Sequence, residues 1–277
     1  MSFFRTFLAS LTVGFSSASK RTTFVGVLFF SLFFYPFGLL FVAGGVLPRG
    51  YDWTASIIIG LYGILVFLSE HRSRISPSSL IRVAAVLVLV YLLEYIGVRE
   101  GFPFGKYEYT PVLGFQIGSV PVAIVLAWYT TIMMSRRIAA ATVRLHGPAR
   151  RATVALLAGL LTVALDVALE PMAAFVKKYW IWSEGSVPLQ NYISWFLISS
   201  VIVYLLEDGG ARDESSWVPC YRLGVLVFLM QLSLFILTDV ANGFLLAPMI
   251  AAAITLLVLL GAGMSWPATV SERMVRS

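Results

Sequence analysis

One cysteine, Cys220, and two histidines, His71 and His146, are all that 277 residues offer of the usual metal-binding and redox side chains. A single thiol builds no disulfide, iron–sulfur cluster or cysteine-based zinc site within one chain. Two histidines in basic stretches fall short of the His-rich iron centres of membrane oxygenases. Charge is also scarce, at 12% of residues. The net charge of +6 is dispersed over short segments between apolar runs, so it carries no nucleic-acid signal. A dinucleotide glycine fingerprint, a long linker, a low-complexity tract and an internal repeat are all lacking. Neither a metal nor a cofactor is expected.

What the chain has in abundance is apolar sequence: 59% of residues are hydrophobic, and mean hydropathy is +0.87. The apolar residues come in runs of roughly 20, the length that crosses a bilayer as a helix. Eight such runs are expected as helices, at about Thr23–Val46, Trp53–Leu68, Leu80–Val98, Val120–Met134, Ala152–Phe175, Tyr192–Leu206, Leu223–Ala241 and Ala247–Trp266. The expected fold is therefore an all-α integral membrane protein, a bundle of about eight transmembrane helices forming one domain over residues 1–277. Phe3–Phe15, within a segment of residues 1–20, reads as a helix lying in the interface.

Alternating the loops sorts the basic residues. Arg5, Lys20, Arg21, Arg72, Arg74, Arg82, Arg136, Arg137, Arg144, Arg150, Arg151, Arg212, Arg222, Arg273 and Arg276 share one side, fifteen of the twenty. The positive-inside rule then places both termini in the cytoplasm of a multi-pass cell-membrane protein.

With that topology, the acids within spans gather in the outer half of the membrane: Glu94 on the third helix, Asp166 and Glu170 on the fifth, and Asp239 on the seventh. An ionisable group at such depth costs about 2.5–3.5 kcal/mol on insertion scales and faces the bundle interior. Asp166 and Glu170 are four residues apart, hence on one helical face about 6 Å from each other. Two carboxyls so close do not both ionise cheaply, and one is expected to remain an uncharged acid. Such acids also serve simply to tie helices together, by pairing with Arg99, Lys106 or Lys177. Two outer loops are rich in rings: Phe102, Phe104, Tyr107 and Tyr109 in one, and Tyr179, Trp180, Trp182, Tyr192 and Trp195 in the other. An interfacial aromatic belt accounts for part of that set, and ring faces also stabilise a nearby cation.

The ordered set Glu94–Tyr109 (EYIGVREGFPFGKYEY), Asp166-Val-Ala-Leu-Glu170-Pro171, Tyr179-Trp-Ile-Trp182, Val187-Pro-Leu-Gln-Asn-Tyr192 and Trp195 resembles the CruF-type carotenoid hydratases, over a little more than a third of the chain. It departs from their pattern at Glu170, where Asp is frequent, at Glu100, where a small residue is usual, and at Ser194, where Gly is usual. The resemblance implies a cofactor-independent hydro-lyase of carotenoid biosynthesis. It would add water across the terminal 1,2 (1',2') double bond of an acyclic ψ-end to give a tertiary alcohol. The implied partners are membrane lipid and a lycopene-, γ-carotene- or bisanhydrobacterioruberin-like carotenoid. Asp166, Glu94 and Glu170 are the expected catalytic acids. Asn191, Tyr107, Tyr109, Arg99, Phe104, Trp180, Trp182 and Trp195 are the expected substrate- and water-binding residues. The competing readings are a non-enzymatic carotenoid-binding or proton-coupled transport protein and a magnesium-dependent prenyl transferase, the latter needing a second acidic cluster that the sequence lacks.

Overall fold

A computed structural model describes residue 7 and residues 9–48, 50–143, 145–208 and 214–261, with the side chains of all but 214–218 and 261. Arg5, Arg49, Arg144, Arg212, Arg273, Arg276, the Gly209-Gly210 pair, most of residues 3–8 and the end of the last expected span at Trp266 lie outside the described residues. Each of the eight apolar runs forms a helix: α1 Ala18–Gly38, α2 Thr54–Glu70, α3 Pro77–Glu100, α4 Val122–Thr142, α5 Gly147–Glu170, α6 Leu189–Leu206, α7 Glu214–Ala241 and α8 Leu246–Gly261. Among the described residues, five stretches are long and apolar enough to cross a membrane: Ala18–Ala43, Pro77–Glu100, Gly147–Val176, Leu189–Leu206 and Pro219–Ala241. The α2 and α8 helices are apolar but shorter.

The outer surface of the bundle is itself hydrophobic. Phe29, Phe30, Phe33, Phe34 and Phe37 form a ladder of exposed rings along α1, and Leu205, Leu246 and Leu257 are exposed elsewhere. So much contiguous apolar surface would be a liability in water; against hydrocarbon it is the natural exterior. At the centre, α5 packs against α4, α6 and α8, while α4 also packs against α2 and α7.

Local signals set several boundaries. α3 opens on a reciprocal cap in which the Ser76 hydroxyl accepts from the Ser79 N–H at 3.1 Å and the Ser79 hydroxyl accepts from the Ser76 N–H at 3.1 Å. Pro77 follows at the first helical position, where its missing N–H costs nothing. The helix stops at Gly101, whose φ of +72° suits glycine and whose N–H bonds the Gly97 carbonyl at 2.9 Å. After Glu170, Pro171 supplies no N–H to the α5 ladder, and residues Pro171–Val176 widen into a π-helical turn.

Two boundaries correct the sequence reading. α4 continues two turns beyond Met134, because Arg136 and Arg137 are not loop charges. Glu70 at the end of α2 pairs with both, and Glu207 after α6 pairs with Arg136 and Arg150. The two outer loops are not purely irregular either: Tyr107–Tyr109 (β1) pairs antiparallel with Trp180–Trp182 (β4), and Gln116–Ile117 (β2) pairs with Val120–Pro121 (β3). At the opposite end of the bundle, the buried Arg72 donates to the carbonyls of Leu11 and Val13, fastening the N-terminal segment there.

Candidate active site

The β1–β4 pairing makes a lid. Side chains alternate across a strand, so Tyr-Glu-Tyr and Trp-Ile-Trp place Tyr107, Tyr109, Trp180 and Trp182 on one face and Glu108 and Ile181 on the other. The first four are buried or half-buried, and Glu108 and Ile181 are exposed. Further bonds fasten the lid: Thr110 N–H to the Tyr179 carbonyl at 3.0 Å, and Ser183 N–H to the Lys106 carbonyl at 2.9 Å. Gln190 and Ser194, from the first turns of α6, both donate to the Pro103 carbonyl at 2.7 Å.

Beneath the lid lie Glu94, Asp166, Glu170 and Asn191, which are 3%, 2%, 1% and 2% exposed. Three helices deliver them: α3 brings Glu94, α5 brings Asp166 and Glu170 one turn apart, and α6 brings Asn191. Glu94 accepts from the Tyr107 hydroxyl at 2.5 Å, the Tyr109 hydroxyl at 2.7 Å and Trp128 Nε1 at 2.6 Å. Glu170 accepts from Trp180 Nε1 at 3.1 Å, Trp182 Nε1 at 2.9 Å and Asn191 Nδ2 at 3.1 Å. Asp166 differs. Its Oδ2 accepts from Asn191 Nδ2 at 2.9 Å, whereas its Oδ1 is buried without a partner. One oxygen of one acid is thus left for something other than the protein.

Two cavities meet at Asp166. The smaller, about 40 Å³, is bordered by the three acids, Asn191 and the rings of Phe104, Tyr107, Tyr109, Trp128, Trp180, Trp182 and Trp195. That is room enough for water, which needs roughly 10–15 Å³ of such space and several polar partners. The larger, about 160 Å³, runs from Asp166 between α1, α2 and α7. Tyr35, Ile58, Leu165, Met172 and Phe235 are among its lining, which is overwhelmingly apolar. Ile124, Ala127, Asp166, Leu169, Trp180 and Trp195 border both, so the two adjoin there.

Both lid tyrosines are kept neutral donors: burial foremost, and then the Glu94 charge, pushes the phenols of Tyr107 and Tyr109 well above their ordinary range. The acids are not paired with basic residues. Among the described residues no Lys or Arg lies within ion-pair distance of Glu94, Asp166 or Glu170, and Lys177 instead pairs with Asp52 at 2.7 Å. Also among the described residues, no three His, Cys, Asp or Glu side chains are grouped as metal ligands.

Of the expected catalytic and binding residues, only Arg99 stays away from the chamber. Five residues at about 100° each set it roughly 140° round α3 from Glu94, and its guanidinium lies exposed over the Tyr95 ring, 4.4 Å from the centroid. Asp239 is buried on α7 near the Met172 backbone and borders neither cavity. Phe102 points outward, as belt residues do. The sequence reading missed Trp128, which stacks face to face on Trp195 with centroids 3.5 Å apart and planes 7° apart. A tryptophan inside an apolar run rather than at its edge was the available signal.

The profile of the Carotenoid biosynthesis protein family matches residues 54–261, three quarters of the chain and all of the cluster just described. The chain belongs to this family. It is also 31% identical over 183 residues to the bisanhydrobacterioruberin hydratase of Haloarcula japonica, an overlap of 63% of this chain and 61% of that protein. The chain thus matches less than two thirds of that relative's length. No solved structure matches.

Proposed function

We propose that this carotenoid biosynthesis protein is a hydratase that adds water across the terminal 1,2 (1',2') double bond of an acyclic carotenoid end. The observation that carries this reading is the unpartnered Asp166 Oδ1 at the join between an apolar passage and a water-sized polar chamber. The hydratase relative, named for bisanhydrobacterioruberin, supports a carotenoid of that kind as substrate. Lycopene- or γ-carotene-like chains share the reacting end.

In the proposed reaction the polyene lies in the passage with its terminal isopropylidene group at Asp166. Asp166, uncharged and carrying its proton on Oδ1, transfers that proton to the olefinic carbon that becomes CH2. The π pair forms the new C–H bond and leaves a tertiary cation on the neighbouring, dimethyl-bearing carbon. Facing rings stabilise a cation within about 6 Å by roughly 0.5–2 kcal/mol each; Trp195 and Trp180, which border both cavities, are best placed. A water in the small chamber attacks the cation, forming the C–O bond. The oxonium proton passes to the Asp166–Glu170 carboxyl pair, which restores the starting state and closes the atom balance. Asn191 holds that pair in register, and Glu94, saturated by three donors, anchors the lid.

The proposed setting is one domain over residues 1–277 with eight crossings and both termini cytoplasmic, the acid chamber lying toward the outer face. Expression in a host that makes an acyclic carotenoid, followed by mass analysis, tests the reading. A product heavier by one water supports it; unchanged carotenoid in the presence of folded protein rejects it.

A further inference from the structure

The end of the bundle opposite the acids holds a second polar cavity, of about 340 Å³. It sits where α2 and α4 end and α3 begins. Four arginines, Arg74, Arg82, Arg136 and Arg137, face two carboxylates, Glu70 and Asp208, so positive charge predominates. The inner pair, Arg136 and Arg137, is held by Glu70 and Glu207. The outer pair, Arg74 and Arg82, is exposed and forms no ion pair among the described residues. Ser76 and Ser79 bring the N-terminal end of α3, the positive end of its dipole, to the same wall.

A separate observation points to a ligand. Tyr129 on α4 borders this cavity, is only 3% exposed, and its hydroxyl is buried without a hydrogen-bond partner. A phenol left unsatisfied beside arginines costs free energy unless an acceptor arrives, and an oxyanion is the acceptor this charge balance favours. Apart from the buried His71, the remaining lining, Val83 and Val86 on α3, Met133 on α4 and Leu206 on α6, is apolar. A headgroup with an attached acyl chain would find both halves of its chemistry met. Basic pockets between spans are a recognised form of lipid headgroup site.

We infer that this cavity binds a phosphate oxyanion, with Arg74 and Arg82 as its charge partners and the Tyr129 hydroxyl as its inner donor. Two sources share that chemistry, an anionic phospholipid headgroup and free phosphate.

The test uses the full-length protein in detergent, with thermal unfolding recorded during titration of phosphatidylglycerol, phosphatidylcholine or inorganic phosphate. A ligand that binds only the folded state raises the midpoint saturably. Phosphatidylglycerol is expected to do so at concentrations where phosphatidylcholine does not. Tyr129→Phe and Arg82→Ala should each raise the half-saturating concentration about tenfold, the value of one hydrogen bond to a charged group. The phenylalanine variant removes a single buried oxygen and is expected to fold. Saturable stabilisation by inorganic phosphate, equally sensitive to the two substitutions, would support the site and assign it to the free ion. No saturable response to either anion, an equal response to phosphatidylcholine, or unchanged half-saturation in Tyr129→Phe would each overturn the inference.

Discussion

Asn191 Nδ2 lies 2.9 Å from Asp166 Oδ2 and 3.1 Å from Glu170 Oε1, so one amide on α6 spans two carboxyls carried one turn apart on α5. That bridge fixes which oxygens are engaged and leaves Asp166 Oδ1 without a partner on a residue that borders both cavities. Indole donors hold the far side of Glu170. The arrangement separates two duties that the sequence alone could not divide among three acids: Glu94 fastens the lid, and Asp166 meets the passage.

Asp166→Asn keeps the shape and the burial but removes the transferable proton. General acids contribute about 10²–10⁴-fold to rate, so hydrated product should fall below detection in an acyclic-carotenoid host while the protein remains in the membrane at normal yield. Normal product formation would remove Asp166 from the mechanism.

Ala127 borders both cavities and lines their join. Ala127→Phe should obstruct access of the chain end to Asp166, lowering turnover about a hundredfold, the scale of a one-ångström misplacement of a reacting group. Product analysis beside a melting curve distinguishes obstruction from unfolding.

Gly97 tests the lid. A Cβ there would stand 2.8 Å from both the Phe104 ring and the Tyr107 hydroxyl, the latter being bonded to Glu94. Overpacking of this kind costs about 1–3 kcal/mol, and the displaced hydroxyl would also lose its acceptor. Gly97→Ala should therefore lower the unfolding midpoint by several degrees, roughly 2–4 °C per kcal/mol at this size, and weaken activity with it.

Alkaline stability follows from Tyr107 and Tyr109. Their phenols ionise in the folded state only well above the ordinary value of 10.0, chiefly because they are buried and secondarily because Glu94 is beside them. A raised folded value means that their contribution is fully present below pH 10 and is lost as pH climbs beyond it. Denaturation monitored against pH should show this loss above about pH 10. Tyr107→Phe should flatten that alkaline slope.

On the acid side, Glu207 works with the opposite sign. Burial pushes its carboxyl up, but the guanidiniums of Arg136 and Arg150 outweigh burial and hold it below its ordinary value of 4.5. Its contribution is present above that value and declines as pH falls through the lower, folded one. Glu207→Gln should reduce the acid-limb slope of a stability profile.

The helices were legible because apolar runs separated by Gly, Pro and Arg announce themselves one at a time. Each of the eight runs forms a helix, and ten of the eleven site residues expected from the sequence border one chamber. Harder to read were features that depend on partners distant in sequence. Met134 looked like the end of a run because Arg136 and Arg137 follow it, whereas Glu70 and Glu207, from other helices, let α4 continue. The Tyr-Glu-Tyr and Trp-Ile-Trp triplets carry a period of two, but three residues are too few to declare a strand without the one they pair with. Arg99 is close to Glu94 in the chain and far from it round the helix. Trp128 went unnoticed because an indole within an apolar run looks like ordinary core until a carboxylate is found against its nitrogen.

The lid over the acids has a kinetic corollary. In the proposed reaction the substrate enters along the apolar passage and meets the lid at its inner end, so the newly made alcohol leaves by its path of entry. For a carotenoid with two equivalent tips, the second tip cannot be presented without full departure and reversal. On the proposed chemistry, turnover is therefore distributive: singly hydrated carotenoid accumulates ahead of the diol.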